Sequence, residues 1–379
     1  MNNYKILTPT LRGSFTERLA ELEMLVGDWL ELEQTEGRSL RYTKIFLSDA
    51  QNQHQQLVES DLFQHLLSSK PYTEVEQTPA NGSKVMLLLM TSDTDNGALF
   101  HSLRLSDSET RGLNSYVQTI ALFEMYMSIL RDMGLDMKTH LVRTWIYVAD
   151  IDVNYAGVVK ARNDVFAREG LTADTHFIAS TGIGGRTDCR TACVAIDFLT
   201  YPHIQESDKK YLKALTHLNP THEYGVAFER GTRLQLPSSL LYYISGTASI
   251  DNKGEVVYLG DIRKQTARLL ENIGALLADG GATMHDIKYF IIYLRDFSDY
   301  DTVNRMMSQI YPDIPRAIVH APVCRPQWLV EMECVAEKFV FLPPIYEIQG
   351  NKPKEISLRE NDEGGGKRVA KEGKTSQKR

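Results

Sequence analysis

An internal repeat restricts the possible folds of this chain more than any other feature. Leu113 to Met137 reads LNSYVQTIALFEMYMSILRDMGLDM, and Leu259 to Met284 reads LGDIRKQTARLLENIGALLADGGATM. Setting Gln118-Thr119 on Gln265-Thr266 brings Leu130 onto Leu277, Gly134 onto Gly281 and Met137 onto Met284. The apolar spacing is helical, and the glycine sits where a helix C-cap belongs. Each predicted helix feeds a strand, Leu141–Val148 in one copy and Ile287–Leu294 in the other. Both strands run into an acid-containing turn, at Asp150 or Asp296, and then into a second helical stretch, Tyr155–Phe166 or Tyr300–Tyr311. A helix–strand–helix unit that recurs predicts an α+β fold built from modules rather than one large domain.

A third, worn copy stands at the front. Leu40–Leu47 reads as a strand ending at Asp49, followed by a helix through Phe63–Leu67 and a closing strand, Ser83–Met90. Glu17–Leu32 is amphipathic and supplies the first helix, whereas the hairpin expected ahead of it is barely present. The resulting modules are 1–93, 96–201 and 222–343, with 202–221 as a linker. From Tyr346 to Arg379 the composition turns to Lys, Glu, Gly and Ser, which cannot bury enough apolar area to order itself, so this stretch is predicted to be a disordered tail.

A length of 379 residues suits two or three domains. A net charge of −7 argues against a nucleic-acid partner, which calls for a basic stripe. The longest apolar runs, such as Val85–Met90, have strand length and fall well short of a membrane span. The first residues lack the apolar core of a secretory leader, so the expectation is a cytoplasmic protein whose four cysteines, Cys189, Cys193, Cys324 and Cys334, are reduced. The Cys189–Cys193 spacing and the scattered histidines predict no metal site.

Chemistry concentrates near the end of the last module. Arg325 precedes Pro326, which stiffens its loop, and a guanidinium fork there suits a substrate carboxylate. Glu331 and Glu333 lie two apart on a predicted strand, Leu329–Val335, and so share one face. Two carboxylates on an apolar strand are costly unless they pair with basic residues of a neighbouring module or serve as a general acid. Cys324 is either a small buried hydrophobe or a thiol that its neighbour Arg325 would push towards thiolate.

Ser245-Gly246-Thr247-Ala248-Ser249-Ile250, Gly260-Asp261, Gln265-Thr266 and Arg325-Pro326 resemble the Rid (YjgF) family. That resemblance implies a mixed sheet with two helices on one face in each module. It further implies three modules joined as a covalent pseudo-trimer, with clefts between neighbours. Within that superfamily, Arg143–Ile151, Ala179–Gly184 and Val323-Cys324-Arg325-Pro326 followed by Leu329–Glu333 resemble the chorismatases. Ile146 replaces their usual asparagine and Glu229 their usual serine. The resemblance implies Glu331 as catalytic acid and Cys324 as the residue steering product towards 3-hydroxybenzoate, with Gly246 opposite. Tyr224 would orient water or the ring, and Arg325, Arg143 and Arg230 would bind carboxylates, with Glu333 beside them. No cofactor is expected, the partner is a small carboxylic acid, and self-association into a homo-oligomer is compatible with the family. Three readings follow in order: a chorismate hydrolase, an enamine or imine deaminase of the Rid type, and a non-catalytic ligand-binding protein on the same fold.

Overall fold

The structure, a computed structural model, describes residues 1–340 except Leu11, and leaves aside the side chain of Tyr224. The tail expected over 346–379 lies outside the described residues.

The front of the chain forms a four-stranded mixed sheet. Its elements are β1 (Asn2–Leu7), α1 (Phe15–Thr35), β2 (Ser39–Leu47), α2 (Ala50–Val58), β3 (Tyr72–Glu76), β4 (Thr78–Pro79) and β5 (Val85–Ser92). The sheet order is β1-β5-β2-β3, with only β2–β3 parallel. Helix α1 starts at a capping box in which Ser14 and Glu17 satisfy each other's backbone amides, and it buries Leu19, Leu22 and Val26 against the sheet. The expected opening hairpin is a single strand, β1, which finds its partner in β5 at the far end of the module. The helix predicted through Phe63–Leu67 is a π-helical turn, Leu62–Leu67, that follows α2.

The middle sheet repeats the plan with β6 (Leu99–Leu103), α3 (Asp107–Thr110), α4 (Ser115–Asp132), α5 (Met137–His140), β7 (Leu141–Val148), α6 (Ile151–Arg168), β8 (Ala179–Gly184) and β9 (Val194–Thr200). Its order is β6-β9-β7-β8, and β7–β8 is the parallel pair. The last sheet holds β10 (Lys209–Tyr211), β11 (Gly231–Gln235), β12 (Ser239–Ala248), α7 (Ile262–Gly280), β13 (Ile287–Leu294), α8 (Tyr300–Ile310), β14 (Arg316–His320) and β15 (Val330–Phe339). Its order is β10-β11-β12-β15-β13-β14-β4, so the first module lends an edge strand to the third. Part of the segment read as a linker is also built in, because β10 pairs antiparallel with β11.

The repeated Gln-Thr pair has a physical role. Gln118 accepts from Cys193 N at 2.7 Å and donates to the carbonyls of Leu113 and Thr191, each at 3.0 Å. Gln265 does the same for the third module, accepting from Leu329 N at 2.9 Å and donating to Gln327 O at 3.0 Å. In each copy a buried amide ties the first helix to the loop that enters the last strand, so neither that loop nor the glutamine is left with unpaired polar groups. In the third module this loop carries Cys324 and Arg325.

The apolar face of α7, including Leu269, Ile273, Leu276 and Leu277, is fully buried on its sheet. Each such side chain contributes roughly 1.5–3 kcal/mol relative to exposure. The second and third modules meet along β8. Gly184 lies so close to Pro322 that any side chain would collide with its ring and backbone, and Gly184 N donates to Pro322 O at 2.9 Å. The small-residue run Ala179–Gly184 is thus a docking edge for the loop ahead of Cys324. No described helix is long and apolar enough to cross a membrane.

Candidate active site

Where α6 and β8 face β12, β15 and the 321–329 loop, the structure leaves a cavity of about 570 Å³. Glu331, Cys324, Arg325, Gly246 and Arg230, all singled out in the sequence, line it. Glu331 projects from the start of β15, opposite Tyr293 on one side and Ala248 on the other. A side chain at Gly246 would collide with Glu331 Oε1, so the glycine is what makes room for the carboxyl.

Glu331 is 5% exposed. Burial, and then the charge of Glu333, push its pKa from 4.5 up to about 8, against smaller opposing effects of Arg143 and Arg230. The carboxyl is therefore largely protonated at neutral pH. Of the two readings of Cys324, the environment favours the neutral thiol over the thiolate. Burial and the nearby Glu331 push it up to about 12, and Arg325 offsets only part of that.

The pair of glutamates divides its labour. Glu333 faces inward and is held by the second module: Arg143 Nη2 donates to Oε2 at 2.9 Å, Trp145 Nε1 donates to Oε1 at 2.7 Å, and Thr181 adds a hydroxyl bond. Arg143, 1% exposed, also donates to Ser245 Oγ at 3.0 Å. Neither Arg143 nor Glu333 lines the cavity. The expectation that they touch substrate gives way to a buried intermodule ion pair, because each spends its polar atoms on the other and on Thr181, Ser245 and Trp145. Thr181 Oγ1 also accepts from Gly246 N at 2.9 Å, which fixes the strand opposite Glu331.

Cationic groups surround the rest of the cavity. Arg325 lies over the Trp328 ring at 4.8 Å and donates to Gly254 O at 3.2 Å. Arg230 donates to Asn219 O at 3.1 Å and sits 5.3 Å from the Phe228 ring. Arg162 approaches the same ring at 5.9 Å. Tyr224 lies in the short 3₁₀ turn Thr221–Tyr224 next to the cavity-lining Gly225; its side chain is outside the described atoms. Glu229, where the resemblance expects serine, accepts from Phe177 N at 2.9 Å and its backbone bridges to Ala179, so it serves the module joint.

Tyr155 and Arg162 of α6 are among the lining residues that escaped the sequence reading. They are seven apart, two helical turns, and so share a face with Val159 and Asn163. That spacing was legible, but nothing in it said the face looks across at another module. Tyr155 is half-buried beside Cys324 and Glu331, which raise its phenol pKa further after desolvation has done most of the work. Asn163 clamps the facing segment, donating to Gly225 O at 2.9 Å and accepting from Ala227 N at 3.2 Å. Among the described residues no three His, Cys, Asp or Glu side chains form a metal-holding group.

A sequence profile described as Endoribonuclease L-PSP matches residues 234–338. The 3-aminoacrylate deaminase RutC of Acinetobacter baylyi is 32% identical over 98 residues, 25% of this chain and 78% of that protein. A RutC family protein of Pyrococcus abyssi is 34% identical over 98 residues, covering 25% and 77% respectively. A crystal structure of a chorismatase superposes with a TM-score of 0.62 at 20% identity, covering 89% of this chain and 98% of the other, which shows a shared fold across all three sheets. With the profile falling on the last sheet, where Gln265 ties down the arginine loop, and a RutC protein matched over 78% of its own length at 32% identity, the chain belongs to the Rid/YjgF (endoribonuclease L-PSP) family.

Proposed function

We propose that this protein is a chorismatase-like hydrolase that cleaves chorismate to pyruvate and a hydroxybenzoate, with 3-hydroxybenzoate the favoured product, and uses no cofactor. One observation carries the reading: a single protonated carboxyl, Glu331, lies in a cavity bordered by the guanidinium groups of Arg162, Arg230 and Arg325. Chorismate has two carboxylates and one acid-labile enol ether, so it presents two charges for guanidinium forks and one carbon for a proton. The chorismatase-like fold over most of the chain gives further support.

In this scheme Glu331 gives its proton to the enolpyruvyl methylene carbon. The cation left on the ether carbon takes up water, the bond from that carbon to the ring oxygen breaks, and pyruvate departs, leaving a dihydroxycyclohexadiene acid. Of the two protons of that water, one stays on the ring oxygen and the other returns to Glu331. Loss of the C4 hydroxyl as water, with the C3 proton, then gives 3-hydroxybenzoate, and Cys324, beside Glu331, would steer which hydroxyl leaves. Tyr155, against Cys324, would orient the same ring. The three modules would form a covalent counterpart of a trimer, with this cleft as the catalytic one.

The alternative is Rid-type hydrolysis of an enamine or imine acid. It is favoured by the 32% identity over 98 residues to the 3-aminoacrylate deaminase, and it needs Arg325 rather than an acid. The test is incubation of the purified protein with chorismate, following pyruvate by a coupled dehydrogenase and aromatic acids by chromatography, with 3-aminoacrylate in a parallel arm. Pyruvate and a hydroxybenzoate in equal amounts are expected. Ammonia from the second arm with chorismate untouched would overturn the proposal in favour of the deaminase.

A further inference from the structure

We infer that the chain carries a second, non-catalytic site for a small oxyanion, a carboxylate or phosphate, in the cleft between its first and third sheets, held by Lys5 and Arg316. The repeat locates it. In the third sheet Tyr293 of β13 pairs with Glu331; in the second, the corresponding Tyr147 of β7 pairs with Ala195; in the first, Phe46 of β2 pairs with Met86. Met86 thus holds the register position of the catalytic acid, and it lines a cavity of about 390 Å³. That cavity lies against α8 and β14 of the third module, as the active cavity lies against α6 and β8 of the second. Its size falls in the range of roughly 300–1,000 Å³ usual for small-molecule sites.

The charge of this cleft is unbalanced. Lys5 and Arg316 both line it, and among the described residues neither forms an ion pair with a carboxylate. Asp313 is the single acidic side chain among the described lining residues. Arg316 is not a loose surface group. Its Nε donates to Asn304 Oδ1 at 3.2 Å, and Nη2 donates to Ser308 Oγ, so α8 aims the guanidinium. Burial lowers its pKa, with Tyr300 the opposing influence, as expected of a half-buried cation that lacks a counter-charge. A planar fork held in place beside an exposed ammonium, with the amides of Asn81 and Asn304 nearby, matches a carboxylate or phosphate. Met86 supplies no proton, so the site binds without reacting.

The inference does not depend on the reaction proposed for the first cavity. Calorimetric titration of the full chain with succinate, and separately with inorganic phosphate at matched ionic strength, tests it. A saturable site is expected whose affinity falls by about tenfold or more in Lys5→Ala and in Arg316→Gln but is unchanged in Arg325→Ala. Lys5 is exposed, so its truncation reports on binding even if Arg316→Gln disturbs α8. Binding of succinate alone assigns a carboxylate, and of phosphate alone a phosphate. Absence of saturable binding by both, or binding that survives Lys5→Ala and vanishes in Arg325→Ala, overturns the inference.

Discussion

Glu331→Gln separates the charge of the catalytic carboxyl from its shape, and its effect on stability can be worked out without reference to any substrate. In the folded protein the carboxyl titrates near 8 instead of 4.5. Its folded pKa is raised, so its contribution to stability is fully present below pH 4.5 and is lost as pH rises through 8. At about 1.36 kcal/mol per pH unit, holding Glu331 protonated costs ~2 kcal/mol at pH 6 and approaches ~5 kcal/mol by pH 9. Glutamine has no such dependence. The unfolding midpoint in urea of Glu331→Gln should therefore gain on that of the natural protein as pH is raised from 6 to 9, by an amount worth roughly 3 kcal/mol. A difference that stays flat across that range would show that Glu331 ionises normally and would refute the account of its environment. In the same variant, turnover of chorismate should fall by about 10²–10⁴-fold, the usual share of general acid catalysis. In the natural protein kcat/KM should decline above pH 8, as the acid loses its proton.

Arg325→Ala should chiefly raise KM for chorismate, by the loss of a charge-assisted bond worth about 1.5–3 kcal/mol, seen in initial-rate kinetics. Cys324→Ala should leave consumption of chorismate largely intact and change the aromatic product seen by chromatography, since the thiol is invoked only after the proton transfer. Arg143→Met strands Glu333 in the core and should cost about 3–5 kcal/mol in urea unfolding, most of it recovered in the double variant Arg143→Met/Glu333→Leu.

The sequence alone determined the repeated module and the strand that carries the acid, because both rest on local periodicity. Gln118-Thr119 and Gln265-Thr266 mark the same helix face, and alternation along 329–335 puts Glu331 and Glu333 on one side. It could not decide which of the two glutamates meets solvent-accessible space. Alternation gives them identical standing, and only the arrival of Arg143, Trp145 and Thr181 from another module buries one in an ion pair and leaves the other at the cavity. For the same reason Arg143, with the family's motif around it, reads as a substrate clamp in sequence and is a structural counter-charge in space. Tyr155 and Arg162 were hidden because a helix face shows its period but not what it faces. The two readings of Cys324 stayed open in the sequence because its neighbour there is a cation, while burial and Glu331 govern its ionisation in the fold. Short-range pattern is written along the chain, but desolvation and pairing across modules depend on distances that only the packed sheets set.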